Sequence, residues 1–552
     1  MSNSKPRIPQ NWYSLPRLWR WCVLLCLVIG IGLRIINLSD KVFWYDEAFT
    51  ALRVSGYTEA EVVQAVSTDE PVRAVVFQRY QQLNSHKTLF NTVQGLAAEE
   101  PQHTPLYFVL ARLWADWFGD SITSLRSLSI VASVLAIPLM GWLCWELFAS
   151  PAAASIGMLL LAVSPFQVAY AQEARPTALW TLTTLLTSVA LLRAMRSKAA
   201  VHWTAYALAS TVNFYTYLFS ILVAQAHLLY VAGVERFRLR RNLRFILAAL
   251  SLATLAFAPW LLAIAQNQSQ VDTVTNWLAV ENRFTLRSFG KLWAYHLSLP
   301  FVDRGELVLP LPLWAMVSAA NLLVRVGVLY GLYLLCRRTP LRVWWFVVTL
   351  IAVPAIALTL PDLIYGGKRS TIPRYLVPVY IGFELALTYL LSQQLWDSST
   401  VKRWQRYLWQ GVALVIVLVG IGSSAAIATS PSWWHKVHNR TVPALTAQIN
   451  QSPGPLVISD AEVGDLFALT HYLNPDVLLL VRPQCYACDA HREWLDQPYL
   501  PPLPNGVETV FLFNPRPSEA WLTQLNQQQT YDIKPLAEGF NNWLWQIQLP
   551  SR

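Results

Sequence analysis

The chain has 552 residues, of which 54% are hydrophobic, 12% aromatic and 13% charged, and its mean hydropathy is +0.35. These totals exclude an ordinary soluble domain and a disordered chain alike, because so much apolar surface must be buried or placed in lipid. The formal net charge of +10 does not point to nucleic acid, because the basic residues fall between apolar runs, where they report membrane orientation.

A basic head, residues 1–18, carries Lys5, Arg7 and Arg17. It leads into the apolar run Trp19–Leu38, which at about 20 residues is long enough to cross roughly 30 Å of hydrocarbon. The run continues through Arg34, Asn37, Asp40 and Lys41 with no small-x-small cleavage site, so it reads as a retained span and not as a signal peptide. Further apolar runs lie near 124–147, 152–169, 177–195, 203–218, 219–234, 244–264, 311–335, 343–360, 375–395 and 407–429, which makes eleven spans. The pair 203–234 requires two short spans that turn near Tyr217–Ser220. With the N-terminus in the cytoplasm, the connections rich in Arg193/Arg196/Lys198, Arg236–Arg244, Arg337/Arg338/Arg342 and Lys402/Arg403/Arg406 all face inward, as the positive-inside rule requires.

The expected architecture is therefore an α-helical polytopic membrane domain, 19–429, with a long first outer loop, 37–123. Within that loop, residues 105–119 are apolar but contain Arg112 and Asp116, so they form an interfacial amphipathic helix and not a span. From 430 to 552 the apolar runs shorten and alternate with turn signals: strands near 455–459, 477–481, 509–513 and 543–549, and helices near 461–472 and 518–527. This is the pattern of a small α/β domain, which an odd number of preceding spans places outside the cytoplasm. Cys485, Cys488 and His491 within it offer either a local disulfide or free thiols, or three zinc ligands without an evident fourth.

Four stretches carry the residues suited to chemistry. Asp46 and Glu47 form an acid pair among aromatic side chains just after the first span, where burial raises a carboxylate's proton affinity and a neighbouring cation lowers it. They read as a poised base or as solvated loop acids. His103 opens the interfacial helix, as an anion contact or an ordinary helix-start residue. Glu173 and Arg175 lie at an outer span end, to address a charged ligand or to clamp each other. Lys368, Arg369, Arg374 and Tyr375 lie with Gly366 and Gly367 in an outer loop where positive charge should be depleted. An anion site accounts for the exception, since Arg grips phosphate by a bidentate fork and Lys as a point charge; headgroup anchoring is the alternative.

In chain order, W-Y-D-E (Trp44–Glu47), H-T-P-L-Y (His103–Tyr107), L-W-x3-F-G (Leu113–Gly119), L-R-S-L-S (Leu125–Ser129), Q-E-A-R (Gln172–Arg175) and P-R-Y-x2-P (Pro373–Pro378) resemble the GT-C membrane glycosyltransferases. More narrowly, they resemble bacterial relatives of the protein O-mannosyltransferases and of the aminoarabinose transferases that modify lipid A. The resemblance covers about residues 15–400. It implies the GT-C fold in a bacterial plasma membrane, with a periplasmic C-terminal domain. It also implies a polyprenyl-phosphate-linked sugar donor and an acceptor that is protein, lipid or glycan. In that family the acid after the first span is essential, and here it is Asp46; where the aminoarabinose transferases carry Lys before the interfacial helix, this chain has His103.

The reading that follows is inverting sugar transfer with Asp46 as base, and with Lys368, Arg369, Arg374 and Arg175 stabilising the departing phosphate. Glu47, His103, Glu173 and Tyr375 complete the substrate-binding set. No cofactor is called for: Asp46 and Glu47 could approach a divalent metal, but no further ligand set accompanies them. A transporter or flippase of lipid-linked sugars is the alternative, although the two related halves and midplane charges common in transporters are missing from the pattern. A mere anchor for the C-terminal domain needs one span, not eleven.

Overall fold

The computed structural model describes residues 13, 15–68, 70–197, 199–279, 284–305, 307–396, 402–485, 488, 507–513, 532–538 and 543–548. Eight described helices are long and apolar enough to cross a membrane: Arg17–Ile35, Ile122–Phe148, Thr177–Arg196, Arg241–Gln266, Leu311–Arg338, Leu341–Tyr365, Pro373–Trp396 and a last one that begins at Arg403 and stays regular to Thr429. The chain divides into two units. One contains Met1–Leu38, Arg126–Leu262 and Thr275–Ser430, and the other Ser39–Leu125, Ala263–Val274 and Pro431–Arg552.

In the first unit, one of the expected spans takes a form the hydropathy did not give. The run near 152–169 is not one straight helix; it breaks into Pro151–Ala162 and Pro165–Ala171, bent by 54°. Ser164 and Pro165 explain the break, because the serine hydroxyl caps the second segment and the proline suits its first position but cannot continue the helix before it. The run 203–234 does divide near Tyr217, into Val201–Thr216 and Ser220–Val234, each shorter than the spans above.

Backbone groups freed inside an apolar bundle need partners, since no water satisfies them there. Arg34, fully buried, supplies several. Its guanidinium donates to the carbonyls of Gly30, Leu161 and Ala162 and to the Ser133 hydroxyl, at 2.6–3.0 Å. The charge thus lies at the C-terminal carbonyls of the Pro151–Ala162 helix, where the helix dipole favours a cation. Gln172 donates to the carbonyls of Leu33 and Ile36, and Arg126 to that of Leu38, which fixes where the first span ends. The close approach needs Gly30, because a Cβ built there would lie 2.3 Å from the Ala162 carbonyl oxygen.

In the second unit, six strands among the described residues form one sheet in the order β1-β3-β2-β4-β6-β5: β1 (Val72–Arg73), β2 (Pro455–Ser459), β3 (Leu478–Val481), β4 (Thr509–Phe513), β5 (Asp532–Glu538) and β6 (Trp543–Gln548). The central strands β3, β2 and β4 run parallel, and β6 and β5 add antiparallel beyond β4. Leu456, Ile458, Leu480, Val510, Leu512, Trp545 and Ile547 form a core on this sheet. The loop after the first span joins it directly, because β1 pairs antiparallel with β3, Val72 opposite Leu479. Around that strand the loop is helical, with segments Tyr45–Ser55, Glu59–Val66, Ala74–Arg79, Leu89–Glu99 and Leu106–Phe118. The last of these is the helix expected at 105–119. It ends at Gly119, whose φ of 84° suits glycine, and Leu113, Trp117 and Phe118 stay exposed on it. The helix expected at 518–527 lies outside the described residues.

Gly30→Ala should lower the thermal midpoint of the detergent-purified protein, at a cost of about 1–3 kcal/mol for overpacking against a backbone carbonyl. An unchanged midpoint would show that the two helices separate freely.

Candidate active site

Asp46 and Glu47 occupy the first turn of the Tyr45–Ser55 helix, where the helix dipole favours carboxylates. The two acids have different surroundings. Asp46 is partly exposed and its carbonyl accepts the Thr50 hydroxyl. Glu47 is fully buried, and its Oε2 accepts from the Lys436 ammonium at 2.9 Å, with both side chains almost wholly out of solvent. The backbone N–H of Tyr45 donates to Asn439 Oδ1 at 2.8 Å, and the Tyr45 hydroxyl donates to Glu462 Oε2 at 2.6 Å. Burial, with Glu462 beside it, pushes the Tyr45 phenol well above its ordinary range, so it remains a donor.

His103 faces an acid. Its Nε2 lies 3.8 Å from Glu100 Oε1, and Glu100 with Glu99 flanks the buried Arg53 of the Tyr45–Ser55 helix. Glu99 also accepts the backbone N–H groups of Glu59 and Ala60, which caps the next helix. Burial first, and then the charge of Glu99, hold the Glu59 carboxyl well above its ordinary value near 4.5, against the opposing pull of Arg53.

The other predicted residues belong to the first unit. Lys368 sits with its ammonium 4.7 Å from the centre of the Trp277 ring, and its backbone N–H donates to the Leu278 carbonyl. Arg369 turns to Asp362, 3.1 Å away. Asp362 is fully buried and also accepts the Ser370 backbone N–H and hydroxyl at 2.7 and 2.8 Å. His296 holds the same loop from another side: its Nε2 meets the Ser370 carbonyl and its Nδ1 the Tyr380 hydroxyl. Since a carbonyl only accepts, Nε2 carries the proton, and burial pushes this imidazole down to about 4.

Arg374 lies over Tyr375, whose ring packs 4.8 Å from Phe219 and 6.5 Å from Tyr217, at the break between the two short helices. The charges of Arg374 and Glu173 both act on Tyr170, so the Gln172–Arg175 turn and the basic loop share one electrostatic neighbourhood. Glu173 and Arg175 are buried, and the Ser129 hydroxyl donates to the Arg175 carbonyl. The first unit thus brings Glu173, Arg374 and Tyr375 together among aromatic rings, while Arg369 is engaged with Asp362.

A disulfide joins Cys485 and Cys488, which removes both sulfurs as zinc ligands; His491 lies outside the described residues. Among the described residues no group of three or more His, Cys, Asp and Glu side chains could hold a metal ion.

The family described as dolichyl-phosphate-mannose-protein mannosyltransferase matches residues 102–262. No curated protein sequence matches the chain. Among solved structures, ArnT from Cupriavidus metallidurans in the apo state matches with a TM-score of 0.54 and 13% identity, over 96% of this chain and 98% of that one. The same protein bound to undecaprenyl phosphate gives 0.52 and 14%, over 95% and 98%. The Archaeoglobus fulgidus oligosaccharyltransferase in complex with Zn and sulfate gives 0.50 and 14%, over 89% of this chain and 67% of that one. The chain has the GT-C fold. Within it, the mannosyltransferase match takes in His103, Glu173 and Arg175 but neither Asp46 nor the basic loop.

Lys436, Asn439, Asp362, His296 and Trp277 were missed by sequence reasoning. Only Asp362 had a usable local signal, as an acid at the end of an apolar run beside a basic loop.

Glu59 gives a pH test of the network around Arg53. Its folded-state value is raised, so its contribution to stability is complete below about pH 4.5 and is lost as pH rises above that. Glu59→Gln should therefore gain thermal stability relative to the parent between pH 5 and pH 8, read from melting curves in detergent. Parallel profiles would show that Glu59 ionises normally.

Proposed function

We propose that the chain is an inverting glycosyltransferase that moves a sugar from a polyprenyl-phosphate-sugar to a hydroxyl acceptor at the outer face of a bacterial plasma membrane. The observation that carries this reading is the fold likeness along nearly the whole chain to ArnT, a protein whose crystal structure holds undecaprenyl phosphate. The orientation adopted has the N-terminus in the cytoplasm and the C-terminal domain in the periplasm.

In the proposed reaction the acceptor oxygen attacks the anomeric carbon, the bond from that carbon to the phosphate oxygen breaks, and polyprenyl phosphate departs. A phosphate is already a good leaving group, so no acid has to protonate it. The acceptor hydroxyl must lose its proton near the transition state, and Asp46 takes it. Arg374, Lys368 and Arg175 balance the charge growing on the phosphate, each contributing a few kcal/mol at most in a low-dielectric site. The aromatic residues Trp277, Tyr375 and Phe219 beside these cations give the isoprenoid headgroup an apolar surround. Arg369 serves the same cluster by bracing the loop on Asp362, and Glu173 and His103 contact substrate.

The test is transfer by the purified full-length chain from radiolabelled undecaprenyl-phosphate sugars to a bacterial envelope extract. Asp46→Asn should cut transfer by at least about a hundredfold with the protein still folded; near wild-type transfer would remove Asp46 as base. Arg374→Ala should weaken use of the donor by about tenfold or more, in line with the loss of a charge-assisted contact. Unchanged donor dependence would leave Arg374 only as a membrane-headgroup anchor.

A further inference from the structure

The residues on either side of Asp46 are held from the far end of the chain. At Lys436 the Trp434–Asn439 turn departs from helical geometry, with φ −116° and ψ 17°. Its ammonium, 1% exposed, donates to Glu47 Oε2 at 2.9 Å and to the Val42 carbonyl at 3.4 Å. Asn439 is fully buried and works in both directions: Oδ1 accepts the Tyr45 N–H, and Nδ2 donates to Asp465 Oδ1 at 3.0 Å. His438 Nε2 meets that same Asp465 oxygen at 2.9 Å, and its ring packs edge-on against Tyr45. The helix carrying Asp465, Val463–Thr470, comes so close that a Cβ on Gly464 would lie 2.7 Å from the Tyr45 and Phe49 rings. The Phe43 N–H, just upstream, donates to the Tyr472 hydroxyl at 2.7 Å.

We infer that Lys436 and Asn439 are positioning residues for Asp46: through Glu47, Val42 and Tyr45 they fix the first turn of the Tyr45–Ser55 helix and present the intervening carboxylate in one orientation. The inference rests on the reading of Asp46 as base. Stability alone does not call for this arrangement, because a buried ion pair can often be replaced by apolar groups at little cost. What apolar groups cannot supply is direction. Lys436 joins a side chain after Asp46 to a backbone carbonyl before it, and Asn439 takes the one N–H that opens the helix. The C-terminal domain is on this account part of the catalytic apparatus.

The experiment uses the full-length chain with the most active donor of the undecaprenyl-phosphate panel, and reads kcat and donor KM separately. The double variant Lys436→Met/Glu47→Gln removes both charges, so neither is left buried alone. It should elute and melt like the parent and keep its donor KM within about twofold, yet lose about tenfold or more in kcat, as expected for a misplaced base. Asn439→Ala should show the same split, and decides the matter if the double variant does not fold. Wild-type kcat in both, with Asp46→Asn inactive, overturns the inference and leaves the base assignment standing. An active Asp46→Asn overturns the two together.

Discussion

The contact that ties the start of the Tyr45–Ser55 helix to the far end of the chain is the buried pair Glu47–Lys436, formed between residues 389 positions apart. Two charges taken out of water cost several kcal/mol each, and only close geometry with additional hydrogen bonds recovers that cost. Here the extra bonds exist: Glu47 lies in a helix first turn and Lys436 also donates to the Val42 carbonyl. Removing one partner alone leaves an uncompensated buried charge, a loss of about 3–5 kcal/mol. The pair therefore closes the loop after the first span onto the C-terminal segment, and β1 on β3 closes it a second time through backbone bonds.

The first unit meets a related constraint with a different device. Its helices are interrupted at Ser164–Pro165 and at Tyr217–Phe219, and each interruption frees backbone carbonyls inside an apolar bundle. Arg34 takes those of the first break, while the Ser220 hydroxyl takes the Asn213 carbonyl at the second. Irregular backbone within an apolar bundle is tolerated where it is buried in protein. The second break is where Tyr375 packs, and the short helix after the first, Pro165–Ala171, leads into the Gln172–Arg175 turn. Of the charged residues of the proposed donor site, Arg175 and Glu173 thus lie close to the first break, and Arg374 is next to the Tyr375 that packs at the second.

Much of this could be read from residue order. Apolar runs gave the helices because a bilayer imposes one length, and Tyr217–Ser220 gave a break because 32 residues are too many for one helix there. Strands β2, β3, β4 and β6 followed from short apolar runs bounded by turns. β5 was missed because Pro535 lies inside it, which is tolerated at a sheet edge, where the register also shifts between Pro535 and Ala537. β1, with two residues, is below any sequence signal. At the candidate site, Asp46 stood out by its neighbours, as did the basic loop. Lys436, Asn439 and Tyr472 could not, since each acts on a residue about 400 positions away and looks locally like any polar loop residue. Arg369 was legible as a cation but not as a partner of Asp362, because the span was drawn to end just before that acid.

The central claim is that these elements hold a lipid-linked sugar and transfer it. The most direct measurement is incubation of the purified wild-type chain with radiolabelled undecaprenyl-phosphate sugars and an envelope extract, following label and free undecaprenyl phosphate together. The account predicts that for at least one sugar the label enters the acceptor with inverted anomeric configuration, and that one carrier is released for each sugar moved. Label that crosses vesicle membranes still attached to its carrier, with no release of undecaprenyl phosphate, would contradict the account and identify a transporter.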